Sequence, residues 1–316
     1  MKTCKITAII DGSPGHEKQT EGIIRALEKY VPVEITYLKI KKSFLSDSIS
    51  WLKAFVGLCW KSGKTENVDF VIGTGTHTHP HVIRIGNAGG AKKILCMSPA
   101  SFLTKVFDLC FVPTHDRINP GKNIFLTMGP PNISENKNMH KKDKGLVLIG
   151  GQDDKSHVWD SDKILGYIKE IVSSNTGNMN WTISSSPRTP VEMENKIDRF
   201  VAGMEKVSFF RFSDTKKGWV ENQYDASCIA WVTADSMSMI YEALTAGCTT
   251  CIIPMEWKQK ENKFSFSEQD LYENQLALPY DKWILKREYF EYGKSINESD
   301  KCAREILRRW CPENLQ

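Results

Sequence analysis

The sequence lacks most features that mark specialised protein classes. No apolar run approaches the roughly 20 residues that a membrane-spanning helix needs, and no segment is polar enough to predict disorder. The nine cysteines are odd in number and have irregular spacings. The start of the chain runs into a predicted strand without the apolar region of a signal peptide. We therefore expect a cytoplasmic protein with reduced thiols, most of which act as small hydrophobic side chains in strands.

Common nucleotide-binding motifs are also missing. Neither the P-loop pattern nor Gly-x-Gly-x-x-Gly follows the opening strands, which disfavours ATP hydrolysis and standard NAD binding. The net charge of +4 is too small to predict a nucleic-acid partner. At 316 residues the chain exceeds the usual size of a single hydrophobic core, so we expect two domains.

Strands and helices alternate along the whole chain. Predicted strands lie at 5–11, 33–37, 70–73, 93–97, 109–112 and 124–127, and again at 145–149, 179–184, 207–212, 228–232 and 250–254. Helices are predicted at 19–29, 160–172, 190–201 and 299–310. This alternation predicts an α/β protein with two tandem Rossmann-like, doubly wound domains. We place them at 1–140 and 141–290, with 291–316 as a C-terminal helix that packs back onto the first domain.

The most informative stretch is Ala234–Gly247, which lies between two apolar runs and predicts the helix of a strand–helix–strand unit. Asp235 or Ser236 can cap this helix, and Gly247 can end it. The amides of a helix N-terminus favour phosphate, and a carboxylate further along, Glu242, suits the hydroxyls of a ribose. The pattern predicts a nucleoside diphosphate site; the alternative is an ordinarily capped helix with a solvated glutamate.

Other loops that follow predicted strands contain small and polar residues. In open parallel sheets, ligands bind beyond the carboxyl ends of the strands. Such loops are Asp11–His16 with Gln19, Gly73–Thr78, His115 with Asp116, Gly150–Gln152 and Ser184–Thr189. Arg188 can bind phosphate oxygens through two donors. Each loop alone is also explained by an ordinary turn or helix cap. Because all of them follow the carboxyl ends of predicted strands, together they favour a ligand-binding site.

Histidines 77, 79 and 81 alternate, and on a strand they would share one face, as zinc ligands do. Pro80 interrupts the run, and no Cys, Asp or Glu stands beside it to complete a site. We therefore expect no metal.

Two further segments have an ordinary and a functional interpretation. Lys39–Trp60 combines lysines with an apolar stripe at helical spacing. A helix lying on a membrane has this pattern, and so does a core helix of the first domain, which we favour. Lys258–Lys263 is interpreted as a solvated loop.

Five motifs together resemble the mitochondrial-fission ELM family. They are Asp11-Gly-x-Pro-Gly-His16 with Gln19, Val112-Pro-x-His-Asp116, Gly150-Gly151, Ser185-x-Pro-Arg-Thr-Pro190, and Thr233-x-Asp-Ser-x-Ser-Met239 with Glu242-Ala243. The family is similar to glycosyltransferases and nucleotide-sugar epimerases of the GT-B fold. The matches run in the expected order from the first strand to Pro254.

The resemblance implies a GT-B-like fold with a cleft between two domains. It assigns the nucleotide-sugar donor to the second domain, with Glu242 on the ribose, and a saccharide or lipid-linked acceptor to the first. The expected donor-binding residues are Gly150, Gly151, Ser184, Ser185, Arg188, Thr189, Asp235, Ser236, Met237, Ser238 and Glu242. The expected acceptor-side residues are Gly15, Gln19, Gly75, Thr76, His115 and Asp116.

A glycosyltransferase of this kind usually needs neither metal nor cofactor, because helix amides and a basic side chain stabilise the leaving diphosphate. His16 is the expected general base, since imidazole titrates near neutral pH, and Asp11 is the second candidate. The alternatives are a nucleotide-sugar epimerase, and a non-enzymatic protein that contacts a membrane or a partner through Lys39–Trp60.

Overall fold

The computed structural model describes residues 3–40, 51, 68–174, 179–289 and 296–315. The chain divides into two compact units, which we call unit 1 (Met1–Ile133 with Asn297–Gln316) and unit 2 (Ser134–Ile296). The first boundary therefore follows Ile133, whereas the sequence analysis places it at residue 140.

Unit 1 is built on a parallel sheet. Its described strands are β1 (Cys4–Ile10), β2 (Val33–Lys39), β3 (Phe70–Thr74), β4 (Lys92–Cys96), β5 (Leu109–Pro113) and β6 (Ile124–Thr127). Helix α1 (Pro14–Glu28) follows β1, and helix α2 (His79–Gly89) follows β3. All six strands pair in parallel, in the spatial order β2-β1-β3-β4-β5-β6.

Unit 2 repeats this plan. Its described strands are β7 (Lys141–Leu148), β8 (His157–Val158), β9 (Asn180–Ser184), β10 (Val207–Phe210), β11 (Ser227–Thr233), β12 (Thr249–Ile253), β13 (Glu256–Trp257) and β14 (Leu278–Pro279). Its described helices are α3 (Ser161–Ser174), α4 (Val191–Val201), α5 (Trp219–Ala226), α6 (Met237–Ala246), α7 (Lys263–Glu273) and α8 (Tyr280–Lys286). Six strands form a parallel sheet in the order β10-β9-β7-β11-β12-β14, and β8 pairs with β13 in an antiparallel ribbon.

The sheet of unit 1 is buried on both faces. Ile6, Ile72 and Ile94 pack with α1 in one apolar cluster, whereas Val71 and Leu95 pack with α2 in another. Burial on both faces explains why these strands read as near-continuous apolar runs. The prediction of two Rossmann-like, doubly wound units is confirmed.

The chain returns to unit 1 as helix α9 (Glu298–Trp310). Asn297 caps this helix, since its side chain accepts a hydrogen bond from the amide of Asp300 at 2.9 Å. Ile306 and Leu307 are fully buried in the cluster formed by α1 and one face of the sheet. Helix α9 is therefore part of the core of unit 1.

Two element boundaries differ by more than two residues from those predicted. Helix α1 begins at Pro14 rather than at residue 19, because Ser13 is extended and proline suits the first helical position. Strand β7 begins at Lys141, since its exposed polar end still pairs with Ser227.

The prediction for Lys39–Trp60 falls mostly outside the described residues, which include only Lys39, Ile40 and Trp51 of that segment. Within the part of the chain that the structure describes, no helix is long and apolar enough to cross a membrane.

The packing of α9 predicts a large difference between two identical substitutions. Leu307→Ala removes a fully buried side chain, and we expect it to lower the free energy of unfolding by about 2–5 kcal/mol. Leu285→Ala removes a side chain that is 82% exposed, so we expect a change below about 0.5 kcal/mol. Chemical denaturation followed by circular dichroism measures both. Equal effects would show that α9 does not contribute to the core.

Candidate functional site

Three loops of unit 2 meet beyond the carboxyl ends of neighbouring strands. They follow β7, β9 and β11, which lie side by side in the order β9-β7-β11. We call the group formed by Gly150–Gly151, Ser186–Thr189 and Asp235–Ser238 the cradle. The sequence analysis proposed each of these segments, and the structure brings them together.

Asp235 joins the three loops of the cradle. Its Oδ2 accepts hydrogen bonds from the Gly151 amide at 3.0 Å and from Arg188 Nη2 at 2.9 Å. Arg188 Nη1 also donates to the carbonyl oxygen of Gly151 at 3.1 Å. The Asp235 side chain is buried, whereas the Arg188 side chain is 45% exposed. The remaining guanidinium donors can therefore face a ligand, although the ion pair neutralises part of the arginine charge.

The other carboxylate oxygen, Asp235 Oδ1, is buried and receives no hydrogen bond from any residue that the structure describes. A buried acceptor without a donor is costly. The oxygen is therefore suited to accept a hydrogen bond from a bound molecule or from water.

The two glycines permit the close approach of these loops. A Cβ at Gly150 would overlap the carboxylate of Asp235 and the hydroxyl of Ser236, and a Cβ at Gly151 would overlap the backbone of Arg188. Glycine is thus required by contact at both positions.

Several hydroxyl groups of the cradle region are already used by the protein. Thr189 Oγ1 accepts from the Ser186 amide at 2.8 Å and donates to the carbonyl oxygen of Gly150. Ser185 Oγ donates to Glu194 at 2.5 Å and accepts from the amide of Phe212. Ser184 is buried and donates to the Ser185 carbonyl oxygen at 3.3 Å. The structure therefore assigns loop-holding contacts to these three side chains, which the sequence analysis expected to bind the ligand directly.

Helix α6 begins within the cradle. Ser236 is its N-cap, but the Ser236 side chain makes no capping hydrogen bond to the first turn. Met237 is half-buried and Ser238 is exposed. Backbone amides at a helix start that no side chain caps favour an anion. As predicted, Gly247 ends the helix, with φ +89°.

Glu242 is only 3% exposed, so it is not the solvated glutamate of the alternative interpretation. It lies beside the buried Tyr224 of helix α5. Burial raises the pKa of the Tyr224 phenol, and the charge of Glu242 raises it further. Removal of Glu242 would therefore disturb packing as well as any ligand contact.

In unit 1, a carboxylate and an imidazole form a pair at the end of β1. Asp11 Oδ2 lies 2.9 Å from His16 Nδ1, and Asp11 Oδ1 accepts from the Ser13 amide at 2.9 Å. The Asp11 side chain is buried, whereas that of His16 is 29% exposed. Because α1 begins at Pro14, Gly15 and His16 lie in its first turn rather than in a loop.

Gly75 fixes the position of the imidazole. Its φ is +86°, and a Cβ there would overlap the ring of His16. Two buried threonines join α1 to β3, with 2.8 Å between Thr20 Oγ1 and Thr74 Oγ1. Thr76, expected at the same edge, is exposed. Gln19 lies on the same helix, and its buried Oε1 receives no hydrogen bond from the described residues.

A second imidazole–carboxylate pair follows β5. His115 Nε2 lies 3.8 Å from Asp116 Oδ1, and Asp116 Oδ2 accepts a hydrogen bond from the Ser98 hydroxyl. The residue before Ser98, Met97, has φ +82°, which is strained for a non-glycine residue. The sequence analysis missed Ser98, because the backbone conformation that positions it leaves no signal in residue type.

The three alternating histidines are not on a strand. His77 lies in a 3₁₀ turn, and His79 and His81 lie at the start of α2, so alternation does not place them on one face. Burial lowers the pKa of His79 to about 4. Among the described residues, no group of three or more His, Cys, Asp or Glu side chains is arranged to hold a metal ion.

The family described as Mitochondrial fission ELM1 matches residues 14–310. The chain belongs to this family. The match confirms the resemblance found in the sequence motifs, and it begins three residues after Asp11. No curated protein matches the sequence.

Solved structures of low sequence identity share the fold of this chain. UDP-GlcNAc 2-epimerase from Neisseria meningitidis, bound to UDP-GlcNAc, has a TM-score of 0.59 at 11% identity, over 96% of this chain and 98% of that one. UDP-GlcNAc 2-epimerase from Methanocaldococcus jannaschii has a TM-score of 0.56 at 15% identity, and the match covers 96% of this chain and 99% of that one. Phytolacca americana UGT2, complexed with UDP-2fluoro-glucose and pterostilbene, has a TM-score of 0.52 at 8% identity, and the match covers 99% of this chain and 91% of that one. At these identities the likeness establishes the GT-B-like fold alone.

The contact between Gly75 and His16 predicts different effects for two glycine substitutions. Gly75→Ala and Gly12→Ala both place a side chain at positive φ, but only the former meets the imidazole, since Gly12 has no atom within 4 Å of an added Cβ. We expect Gly12→Ala to cost roughly 1 kcal/mol of stability and to leave the His16 ring resonances in place. Gly75→Ala should lower the stability more than Gly12→Ala does, and it should shift the His16 ring resonances. Unshifted resonances in Gly75→Ala would refute the contact.

Proposed function

We propose that this ELM1-family chain is a metal-independent glycosyltransferase that binds a nucleoside diphosphate sugar in unit 2. The cradle is the observation that supports this most directly. It offers a helix start whose amides no side chain caps, a half-exposed arginine with free donors, and glycines that admit close approach. Amides and guanidinium groups together bind a diphosphate well.

The same groups can stabilise the reaction. As the bond between the sugar and the diphosphate breaks, negative charge develops on the leaving phosphate oxygen. The first-turn amides of α6 and the guanidinium of Arg188 can receive that charge without a metal ion. Because Asp235 already neutralises part of the arginine charge, we assign most of this stabilisation to the amides.

His16 is the proposed general base for an acceptor hydroxyl on a saccharide or a lipid-linked saccharide. In the neutral tautomer that donates Nδ1–H to Asp11, Nε2 carries the lone pair. Nε2 takes the hydroxyl proton while the acceptor oxygen bonds to the anomeric carbon and the diphosphate departs. Asp11 orients the ring and stabilises the imidazolium that forms.

A thermal-shift screen with nucleoside diphosphates and their sugars tests the binding proposal. A ligand present at a hundred times its Kd stabilises a protein by about 2.7 kcal/mol, so we expect a clear rise in Tm. If no nucleoside diphosphate or nucleotide sugar raises the Tm at millimolar concentration, the proposal fails.

We predict that His16→Gln slows turnover of a bound nucleotide sugar by about a hundred- to ten-thousand-fold, because glutamine cannot accept the proton. Affinity for the nucleotide should change little. His140→Gln, the same substitution just before β7 in unit 2, is the control. Single-turnover rates and Tm values from the same samples separate a base from a structural residue. A normal rate in His16→Gln would exclude the base role.

The ribose role proposed for Glu242 is tested with two conservative variants. Glu242→Gln removes the charge and should weaken binding of a nucleoside diphosphate by about 1–3 kcal/mol, the range for a hydrogen bond to a charged group. Tyr224→Phe removes the neighbouring hydroxyl and should leave affinity unchanged. Calorimetry measures the affinity and denaturation the stability. If both variants lose stability and neither loses affinity, Glu242 only supports Tyr224.

A nucleotide-sugar epimerase is the second candidate, because unit 1 contains two imidazole–carboxylate pairs, Asp11–His16 and His115–Asp116. Epimerisation needs two such acid–base groups. NMR analysis of the product distinguishes a transferred sugar from an epimerised one. Binding without either product would favour a non-enzymatic protein.

A further inference from the structure

A second feature of unit 2 lies next to the cradle. It is a cavity of about 330 Å³ lined by Asp153, Lys155, Ser156, Gln259, Asn262, Lys263 and Phe264. Its first wall begins two residues after Gly151. Hydrogen bonds from the Ser156 hydroxyl and the Lys155 amide lower the pKa of Asp153, and the charge of Arg188 makes a smaller contribution. The volume is at the lower end of the roughly 300–1,000 Å³ typical of small-molecule sites. The segment Lys258–Lys263, interpreted from sequence as a solvated loop, thus provides the second wall.

The two walls are held together by the protein. The ribbon of β8 and β13 pairs Trp257 with His157, and the Lys258 amide donates to the Ser156 carbonyl oxygen at 3.0 Å. The Lys258 ammonium donates to the Asp154 carbonyl oxygen at 2.7 Å. These contacts fix the cavity in the folded unit.

One wall is aromatic. Phe264 stacks on Trp257 with ring centroids 5.2 Å apart and 15° between the planes. Trp257 is held in turn by a hydrogen bond from its Nε1 to Glu268 at 2.6 Å. A rigid aromatic surface at the edge of a polar cavity suits the C–H face of a sugar ring.

The charges at the cavity are not balanced. Lys155 and Lys263 form no ion pair with any carboxylate of the described residues, and the Lys263 ammonium lies 5.2 Å from the centroid of the Phe264 ring. Asp153 is already used, because it accepts from the Ser156 hydroxyl at 2.7 Å and from the Lys155 amide at 3.1 Å. Lys263 is the first residue of α7, where a cation opposes the helix dipole. The amides of that first turn are capped by Asn262, so the ammonium groups are the anion-binding groups here.

We infer that the cavity receives the sugar of the nucleotide sugar and that Lys155 and Lys263 bind a carboxylate on it. The donor is then an acidic sugar of the uronate class rather than a neutral hexose. The inference rests on the proposed function, since the cradle must hold the diphosphate that places the sugar here.

Calorimetry with two matched ligand pairs tests the inference. UDP-glucuronate and UDP-glucose differ only in a carboxylate against a hydroxymethyl group, and GDP-mannuronate and GDP-mannose differ in the same way. We expect the protein to bind the acidic member of at least one pair tenfold or more tightly than the neutral member. Lys155→Met and Lys263→Met should each reduce the ratio of the affinity for the acidic member to that for the neutral member. In the double variant the two affinities should differ by less than twofold. Methionine keeps the apolar stem of the side chain. The control is Lys169→Met, an exposed lysine of α3, which should leave the ratio unchanged.

The outcomes separate the two proposals. If UDP or GDP binds, but the acidic and the neutral member of each pair have equal affinities, the acidic-sugar inference is wrong and the proposed function stands. If the lysine variants weaken the free diphosphates as much as the acidic sugars, the lysines bind phosphate and the inference is also wrong. If none of the six ligands binds, both proposals fail.

Discussion

The buried carboxylate of Asp235 is the interaction on which the candidate site depends. One of its oxygens receives both the amide of Gly151 and the guanidinium of Arg188, and thereby links the loops after three adjacent strands. The pair can exist because glycines at 150 and 151 let the chains approach. An isolated buried charge would be expensive, so Arg188 and the carboxylate fix each other's position beside the start of α6.

In unit 1, a buried aspartate is paired with an imidazole instead of a guanidinium group. Asp11 is buried at the end of β1 and holds one nitrogen of His16, while Gly75, which has no Cβ, leaves room for the ring. In the proposed function, the other nitrogen takes the proton of the acceptor hydroxyl. In both units, therefore, a buried aspartate at the carboxyl end of a parallel strand orients a more exposed basic side chain, and glycine provides the space.

The sequence predicts most of the architecture, because buried parallel strands read as apolar runs and the loops after them are rich in glycine and polar residues. It also locates Asp11, His16, Arg188 and Asp235. It does not show which hydroxyl groups the protein itself uses, since Ser185 and Arg188 look equally available in a list of loop residues. Nor does it show that Glu242 is buried beside Tyr224, a contact between two helices distant in sequence. The strain at Met97 is a backbone property that residue type does not reveal.

The central claim is that the start of helix α6 binds a diphosphate, and amide NMR tests it most directly. On titration with UDP and with GDP, the amide resonances of Met237, Ser238 and Met239 should move the most, together with the side-chain resonances of Arg188. Inorganic sulfate at the same concentration should move them much less. If a diphosphate saturates the protein while these resonances stay fixed, or if neither diphosphate causes any shift, the account of the cradle is wrong.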